Sequence, residues 1–396
     1  MYKPIPINEK VYWVGINDRE TDLFEAHWPL PEGVSYNAYL IDDEKVGLVD
    51  TVKSYFQTDY LDKIREVIGH DRDVDYLIIN HMEPDHSGAI KELKEVYPDI
   101  TIVGNKKTMN FLEGFYGVSE NCKVIENGEE LDLGKYKLQF HITPMVHWPE
   151  TMMTFEKTDG ILFSGDAFGG FGTLDGGIFD DELNVEFYED ETLRYFANIV
   201  AKYSRMVQRA IKKLGDLDIN IVAATHGPIW REKPEKIIND YNKWSSYGTE
   251  KGVVVVYGSM YQNTKKMAEE IARELAENGI EKIIMHDASR THTSYMVRDI
   301  WKYEAMIIGS CTYNTQLFPP VEDLINFLEN IRIQNHTLGI FGSYSWSGGA
   351  VKRLKKFAEN VKCELVEPVV ETKFSPKQED LEKCRKLGKS ISEKLK

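Results

Sequence analysis

Residues 81–88 read HMEPDHSG and follow directly on the apolar run YLIIN (76–80). Within six positions the chain places His81, Glu83, Asp85 and His86, four groups that can ligate a metal or move a proton. A structural account exists for part of this, because Asp85 or Ser87 suits the N-cap of a helix running through AIKELKEVY. The rest of the chain decides between the two accounts.

Three other apolar runs end the same way. LQFHITPMVH releases His147, ILFSGD releases Asp166, and NIVAATHG releases His226. A lone histidine at a strand end is usually satisfied by a backbone carbonyl, but four strand ends that each deliver a ligand-type residue point to convergence at one sheet edge. In an extended segment alternate side chains share a side, so His81, Glu83 and Asp85 are expected to point together. His86 then returns from the first helical turn, whose positive end helps keep Asp85 ionised. Imidazoles mixed with carboxylates, without thiolates, suit iron, manganese or zinc. Such a set can hold two metals about 3.5–4 Å apart, with Asp166 as the natural bridge. His27, His70, His141, His286, His292 and His336 lack such company and read as surface or core residues.

With 396 residues the chain is long enough for two domains. Hydrophobic residues at 42% and charged residues at 28% describe a globular protein. MYKPIPINEK has no signal-peptide pattern and no apolar run is long enough to span a bilayer, so a cytoplasmic protein is expected. Cys122, Cys311, Cys363 and Cys384 form no C-x-x-C pair, which argues against structural zinc, a rubredoxin centre or a disulfide framework. The net charge of −16 disfavours nucleic acid and anionic membranes as partners. The charge is uneven: residues 1–250 hold 26 basic and 45 acidic side chains, residues 251–396 hold 22 and 19. A domain boundary near 250 follows.

Residues 251–396 alternate strand and helix patterns. Strands are expected at 253–257, 282–286, 305–309, 338–342 and 364–368. In TKKMAEEIARELAENG, Met267, Ile271 and Leu275 recur at helical spacing, and Gly279 sits at a C′ position. Five strands alternating with five helices imply a doubly wound parallel sheet of flavodoxin-like size. Residues 1–250 read as a mixed α/β sandwich with helices near 56–68, 87–96, 191–214 and 234–245. The Gly-rich GDAFGGFGTLDGG (165–177) reads as a ligand-adapted loop.

A flavodoxin-type sheet binds its ligand beyond the strand C-termini. The loop after its first strand, GSMYQNTKK, offers Ser259, Met260, Tyr261, Gln262, Asn263 and Thr264 at a helix start, where N–H groups and hydroxyls can hold a phosphate. SCTYNTQLFPP contributes Ser310, Thr312, Tyr313 and Asn314. GSYSWSGGA contributes Ser343, Tyr344, Ser345, Trp346, Gly348 and Gly349. Tyr313 and Trp346 among small polar residues suit an isoalloxazine ring, so FMN is the expected ligand.

HMEPDHSG, MVHWPETMMT, FSGDAFG and THGPIW resemble the metal-binding stretches of the metallo-β-lactamase superfamily, in the version found in flavodiiron proteins. SMYxNT, SxTYN and GSYxWSGGA resemble the FMN loops of the same family, and the likeness spans essentially the whole chain. It implies an N-terminal metallo-β-lactamase-like αββα sandwich (1–250) followed by a flavodoxin-like FMN-binding domain (251–396). It implies one iron held by His81, Glu83 and His147, a second by Asp85, His86 and His226, and Asp166 bridging. Hydrolases of the superfamily carry histidine where Glu83 stands, and a hard oxygen there favours iron over zinc. Gln262 replaces a common glycine and Cys311 a usual proline, so the phosphate loop is expected to carry strain at Gln262 and the flavin site a thiol, packed and inert rather than redox-active, at Cys311.

The activity implied is passage of electrons from FMN to a non-haem di-iron centre that reduces dioxygen to water or nitric oxide to nitrous oxide. The donor implied is a separate rubredoxin-like protein or a reduced deazaflavin coenzyme, since no further domain is read after GKSISEKLK (388–396). A head-to-tail homodimer, or a dimer of dimers, is implied because the family places the two cofactors on opposite-facing domains. Two rivals stand beside this: a zinc hydrolase fused to a flavodoxin docking module, and an FMN-only electron carrier, which leaves the seven ligand-type residues without a purpose.

Overall fold

Short runs of β-branched and aromatic residues, broken by Gly, Asp and Asn turns, build the first half, while longer apolar strands separated by amphipathic helices build the second. The computed structural model describes residues 3–395 and divides into two units, 1–242 and 243–396. That division lies a few residues before the charge-based boundary, inside the helix Pro234–Ser245.

The first unit stacks a seven-stranded sheet on a five-stranded one. In the larger sheet Val11–Trp13, Tyr39–Asp42 and Val46–Val49 run antiparallel, and Tyr76–Ile78, Thr101–Gly104 and Cys122–Val124 continue it in parallel. The smaller sheet follows Glu130–Asp132, Lys137–Ile142, Met152–Glu156, Ile161–Gly165 and Ile221–Ala224, with only the last pair parallel. Trp13, Tyr39, Ile78 and Val103 from one sheet meet Leu138, Phe140, Ile161 and Phe163 from the other, all essentially without exposure. Strands Lys137–Ile142, Ile161–Gly165 and Ile221–Ala224 share one direction, so their C-terminal ends lie on one edge. That shared direction is what gathers residues distant in sequence.

The second unit is a parallel sheet in the order Ile283–Asp287, Glu250–Gly258, Tyr303–Tyr313, Gln334–Tyr344, Lys362–Leu365. It is the doubly wound arrangement in which loops after the first and third strands flank a ligand crevice. Met267, Ile271 and Leu275 of Asn263–Glu277 and Leu387 and Ile391 of Gln378–Lys394 cover one face.

Strands expected at 253–257, 305–309 and 338–342 extend further at both ends, and three elements differ in more than their end residues. The strand expected at 364–368 is two short strands, Lys362–Leu365 and Val370–Lys373, because Pro368 has no N–H to give to a ladder. The helix expected at 87–96 begins at Pro84 and is interrupted, as Pro84–Ser87 and Ile90–Val96. The helix expected at 191–214 begins at Val185 and widens to a π-helix over Phe196–Val200 before continuing as Ser204–Leu214. Such widening recurs beside functional sites.

Gly309 lies opposite Phe341 on the neighbouring strand, and a Cβ there would come within 2.0 Å of the Phe341 ring. Overpacking of this kind costs about 1–3 kcal/mol. Gly309→Ala is therefore expected to lower the melting temperature of the second unit by about 2–10 °C; calorimetry showing an unchanged transition would remove this account of the glycine.

Candidate functional site

The segment after Tyr76–Ile78 is held from behind by two buried carboxylates. Asp50 Oδ1 accepts the N–H groups of Asn80 (2.8 Å) and His81 (3.3 Å), and Glu150 Oε1 accepts that of Met82 (3.0 Å). Burial pushes Asp50 up to about 6 against the pull of His86 and these N–H groups. Glu83 then takes the N-cap position of Pro84–Ser87 with its side chain free of capping, so the strand-like alternation expected for His81, Glu83 and Asp85 stops at Glu83. Asp85 and His86 enter from a helical turn. Neither Asp85 nor Ser87 caps the following helix: Ser87 Oγ donates to a backbone carbonyl of the preceding turn, and both Asp85 oxygens are buried without a hydrogen-bond partner. The capping account of HMEPDHSG therefore fails.

All seven ligand-type residues converge, in two groups. His81 Nε2 lies 3.1 Å from Glu83 Oε2, and His147 Nε2 lies 3.2 Å from the same oxygen and 3.0 Å from Asp166 Oδ2. In the second group His86 Nε2 lies 3.3 Å from Asp85 Oδ2, 2.9 Å from Asp166 Oδ1 and 3.0 Å from His226 Nε2. Asp166 gives one oxygen to each group, and Thr225 Oγ1 donates to its Oδ1 at 2.6 Å. Ligand bonds of about 2.0–2.2 Å set donor atoms about 3.0–3.5 Å apart around one ion, which is the spacing observed. His86 Nε2 and His226 Nε2, 3.0 Å apart, can share a proton or hold one cation between them. The residues fit a pair of metals.

Without cations, protons balance the buried charge. Asp166 is held far below the usual carboxylate range: burial opposes this, and His86 and His81 outweigh it. Burial lowers His86 and His147, but Asp85 and Asp166 lift His86, and Asp166 and Glu83 lift His147, each to about 9. Burial, with its like-charged neighbours, pushes Asp85 up to about 7, and burial and His86 push His226 down to about 4. Two divalent ions would replace these protons and meet three carboxylates directly.

Several contributors carry no sequence pattern. Glu150, fully buried, meets His81 Nδ1 at 2.7 Å. Asn37 uses its whole amide, accepting from Trp13 Nε1 and donating to the carbonyls of Ala224 and Gly227 on either side of His226. Tyr195 places a buried, unpartnered hydroxyl in the same region, its ring 5.4 Å from that of His226. A cavity of about 620 Å³ lined by Phe24, Tyr36, Lys53 and Tyr116 reaches Glu83 and Asp85. Glu25 stands at this cavity, accepts from Trp28 Nε1 at 3.1 Å, and is pushed up to about 7 by burial and by Glu83. Glu150 falls inside MVHWPETMMT, yet a single Glu three residues after a histidine announces nothing.

In the second unit the three expected loops meet at the strand C-termini. Thr264 Oγ1 and Ser343 Oγ are 2.9 Å apart, the Ala350 N–H donates to Thr312 Oγ1, and Gly349 packs so closely on the Thr315 carbonyl that a Cβ would lie 2.0 Å from it. Ser310 Oγ accepts from the Phe318 N–H and holds its loop. Ser259 Oγ is buried and unpartnered beside the start of Asn263–Glu277. Tyr261 (83%), Trp346 (82%), Tyr313 (41%) and Met260 (39%) leave large apolar surfaces uncovered, and Asn314, Ser345 and Gly348 are also exposed around them. An orphan hydroxyl at a helix start with aromatic rings standing free fits a flavin mononucleotide. Gln262 has φ +71°, the left-handed conformation expected to strain a non-glycine residue. Cys311 is buried and burial pushes its thiol up, which fits an inert packed group.

Residues 34–227 match the family described as ODP family beta lactamase, and residues 255–388 match flavodoxin. An uncharacterised protein of Methanocaldococcus jannaschii is 36% identical over 98% of both chains. The anaerobic nitric oxide reductase flavorubredoxin of Escherichia coli is 34% identical over 98% of this chain and 82% of that protein. Among solved structures, rubredoxin:oxygen oxidoreductase of Desulfovibrio gigas superposes with TM-score 0.94 at 29% identity, covering 99% of this chain and 98% of that one. The flavodiiron protein of Giardia intestinalis gives TM-score 0.94 at 27% identity, covering 99% and 96%. Two clusters of ligand-type side chains meeting at Asp166, a flavodoxin unit with free aromatic rings, and likeness over the full length together establish that this chain belongs to the flavodiiron proteins, oxidoreductases that use FMN and a non-haem di-iron centre.

Proposed function

We propose that the chain reduces dioxygen to water, nitric oxide to nitrous oxide, or both, at a di-iron centre held by His81, Glu83 and His147 on one side, Asp85, His86 and His226 on the other, and Asp166 between. The single observation that carries this is Asp166 dividing its two oxygens between two imidazole pairs. When bound, FMN would supply electrons and the irons would supply the centre at which the gas is reduced. The protein's part is placement: the cavity walled by Phe24, Tyr36 and Tyr116 confines a small substrate against Glu83 and Asp85. The relatives' names support both gases, since one is called a nitric oxide reductase and the other an oxygen oxidoreductase. The zinc-hydrolase reading is disfavoured by Glu83, whose oxygen stands where hydrolases of this superfamily place an imidazole.

Ser259, Asn263 and Thr264 hold the flavin phosphate, and Tyr313, Tyr344 and Trp346 enclose the ring. A rubredoxin-like protein is the proposed donor, in keeping with the names of the two relatives above. Lys352, Lys355 and Lys356 are exposed and make no ion pair among the described residues, and they line a groove with Gly348 and Gly349, so an acidic protein finds cations beside the flavin loop. We place the protein in the cytoplasm, where its four free thiols remain reduced. A head-to-tail homodimer is proposed from the family likeness. The exposed Tyr55 (84%), Phe115 (51%) and Leu23 (43%) around the metal cavity give a second copy an apolar surface to cover.

Purified protein is expected to contain about two irons per chain. His147→Ala is expected to retain FMN while turnover with either gas falls more than about 100-fold; full turnover in that variant, or zinc in place of iron, would sink the reading. If electrons cross between subunits, dilution below the dimer dissociation constant is expected to lower specific turnover in step with the dimer fraction seen by sedimentation, with flavin reduction unaffected. A rate independent of that fraction would refute the dimer.

A further inference from the structure

Three of the four imidazoles around Asp166 differ in what their outer nitrogens meet. His81 Nδ1 lies 2.7 Å from Glu150 Oε1, with both side chains wholly buried. His226 Nδ1 lies 2.7 Å from the backbone oxygen of Ser35. His86 Nδ1 is buried and has no hydrogen-bond partner. Among the described residues only His81 has its outer nitrogen on a carboxylate.

Glu150 is itself firmly held. Its Oε1 also accepts the Met82 N–H at 3.0 Å, and its backbone oxygen accepts from Asn105 Nδ2 at 2.5 Å. Asn105 in turn caps the helix Lys106–Tyr116 by accepting from Lys107 and Thr108. Its Oε2 is buried and unpartnered, so the carboxylate's charge is answered only on the His81 side. Three carboxylates face two divalent ions directly, and Glu150 supplies the fourth negative charge through an imidazole.

An imidazole that binds metal through Nε2 carries its proton on Nδ1. Donation of that proton to a carboxylate fixes the tautomer and feeds electron density into the ring, which makes it a stronger ligand. A carbonyl acceptor does this less, and an unpartnered nitrogen not at all. Stronger donation stabilises the more highly charged ion.

We propose that Glu150 is a positioning residue that makes the two irons unequal: by holding His81 as the Nδ1–H tautomer and enriching its ring, it lowers the reduction potential of the iron bound by His81, Glu83 and His147. With both irons bound, the site of Asp85, His86 and His226 would then be the more readily reduced and the His81 site the more readily oxidised. This rests on the two-iron reading above and adds to it which side chain sets the order.

The test is Glu150→Gln in the iron- and FMN-loaded protein. Glutamine keeps an oxygen for the His81 and Met82 donors and removes only the charge. Mediated redox titration with electron paramagnetic resonance of the half-reduced state is expected to show two irons and FMN retained and a comproportionation constant about tenfold lower than wild type. An unchanged constant with two irons bound overturns the proposal. A readout independent of the variant is the zinc-loaded wild-type protein, in which nitrogen-edited NMR is expected to place the His81 Nδ1 proton downfield of that of His226. Equal or reversed positions also overturn it. Wild-type protein that takes up fewer than two irons would instead sink the metal-centre reading itself.

Discussion

A carboxylate with almost no solvent exposure, Asp166, is the constraint on which the first unit depends. Burying such a charge is costly unless opposite charge and hydrogen bonds surround it. The fold meets this by pairing Ile161–Gly165 with Ile221–Ala224 in parallel, so that the Thr225 N–H donates to the Gly165 carbonyl and the Thr225 hydroxyl reaches Asp166 itself. Gly165, at φ +58°, turns the chain sharply enough to aim Asp166 back between the imidazole pairs. His81, His86 and His147 then approach from other loops because only there is the charge of Asp166 answered. Burial works against the charge of every imidazole here, yet Asp166 helps lift His86 and His147 above it, while His226 is depressed by burial and by His86.

The seven ligand-type residues stood out because four apolar runs each lead into one or more of them, and strand ends on one edge of a sheet must meet. Position within the turn was not legible. Asp85 reads as the third member of an alternating set, but Pro84 supplies a fixed φ and no N–H, which suits the first helical position, so the chain turns helical one residue before Asp85. Glu150 and Asn37 were invisible for a different reason: their partners lie 69 and 187 to 190 residues away, and a single Glu or Asn carries no period. In the second unit the alternation of strands and helices followed from periodicity, whereas the split of its last strand at Pro368, like the widening at Phe196–Val200 in the first unit, depends on local hydrogen bonding that an apolar pattern does not report.

The flavin-binding unit distributes its order differently. Its sheet is packed on Val253, Val255, Ile307 and Phe341 with no exposure, while the loops above it expose Tyr261 and Trp346 almost fully and hold Gln262 in a left-handed conformation that costs about 1–2 kcal/mol relative to a right-handed one. Uncovered rings and strained backbone at the same strand ends mark a surface shaped for a ligand. The polar ties between loops, Thr264 to Ser343 and Ala350 to Thr312, keep the three loops in register without filling the space between the rings.

Glu83 sets the charge of the cluster it joins. Its Oε2 sits between the Nε2 atoms of His81 and His147, at 3.1 and 3.2 Å. A carboxylate there adds a negative charge and a harder donor than an imidazole offers, and with Asp85 and Asp166 it gives three carboxylates to four imidazoles. A pair of ions that cycles between two charge states needs a donor set able to stabilise the higher one, and carboxylate oxygens do this better than neutral nitrogens. The same added charge raises the cost of leaving the site empty, since Glu83, Asp85 and Asp166 lie within one buried cluster whose Asp85 is already pushed up to about 7 by burial and then by that crowding. The cluster is therefore an arrangement of carboxylates close enough to repel one another unless cations or protons stand between them.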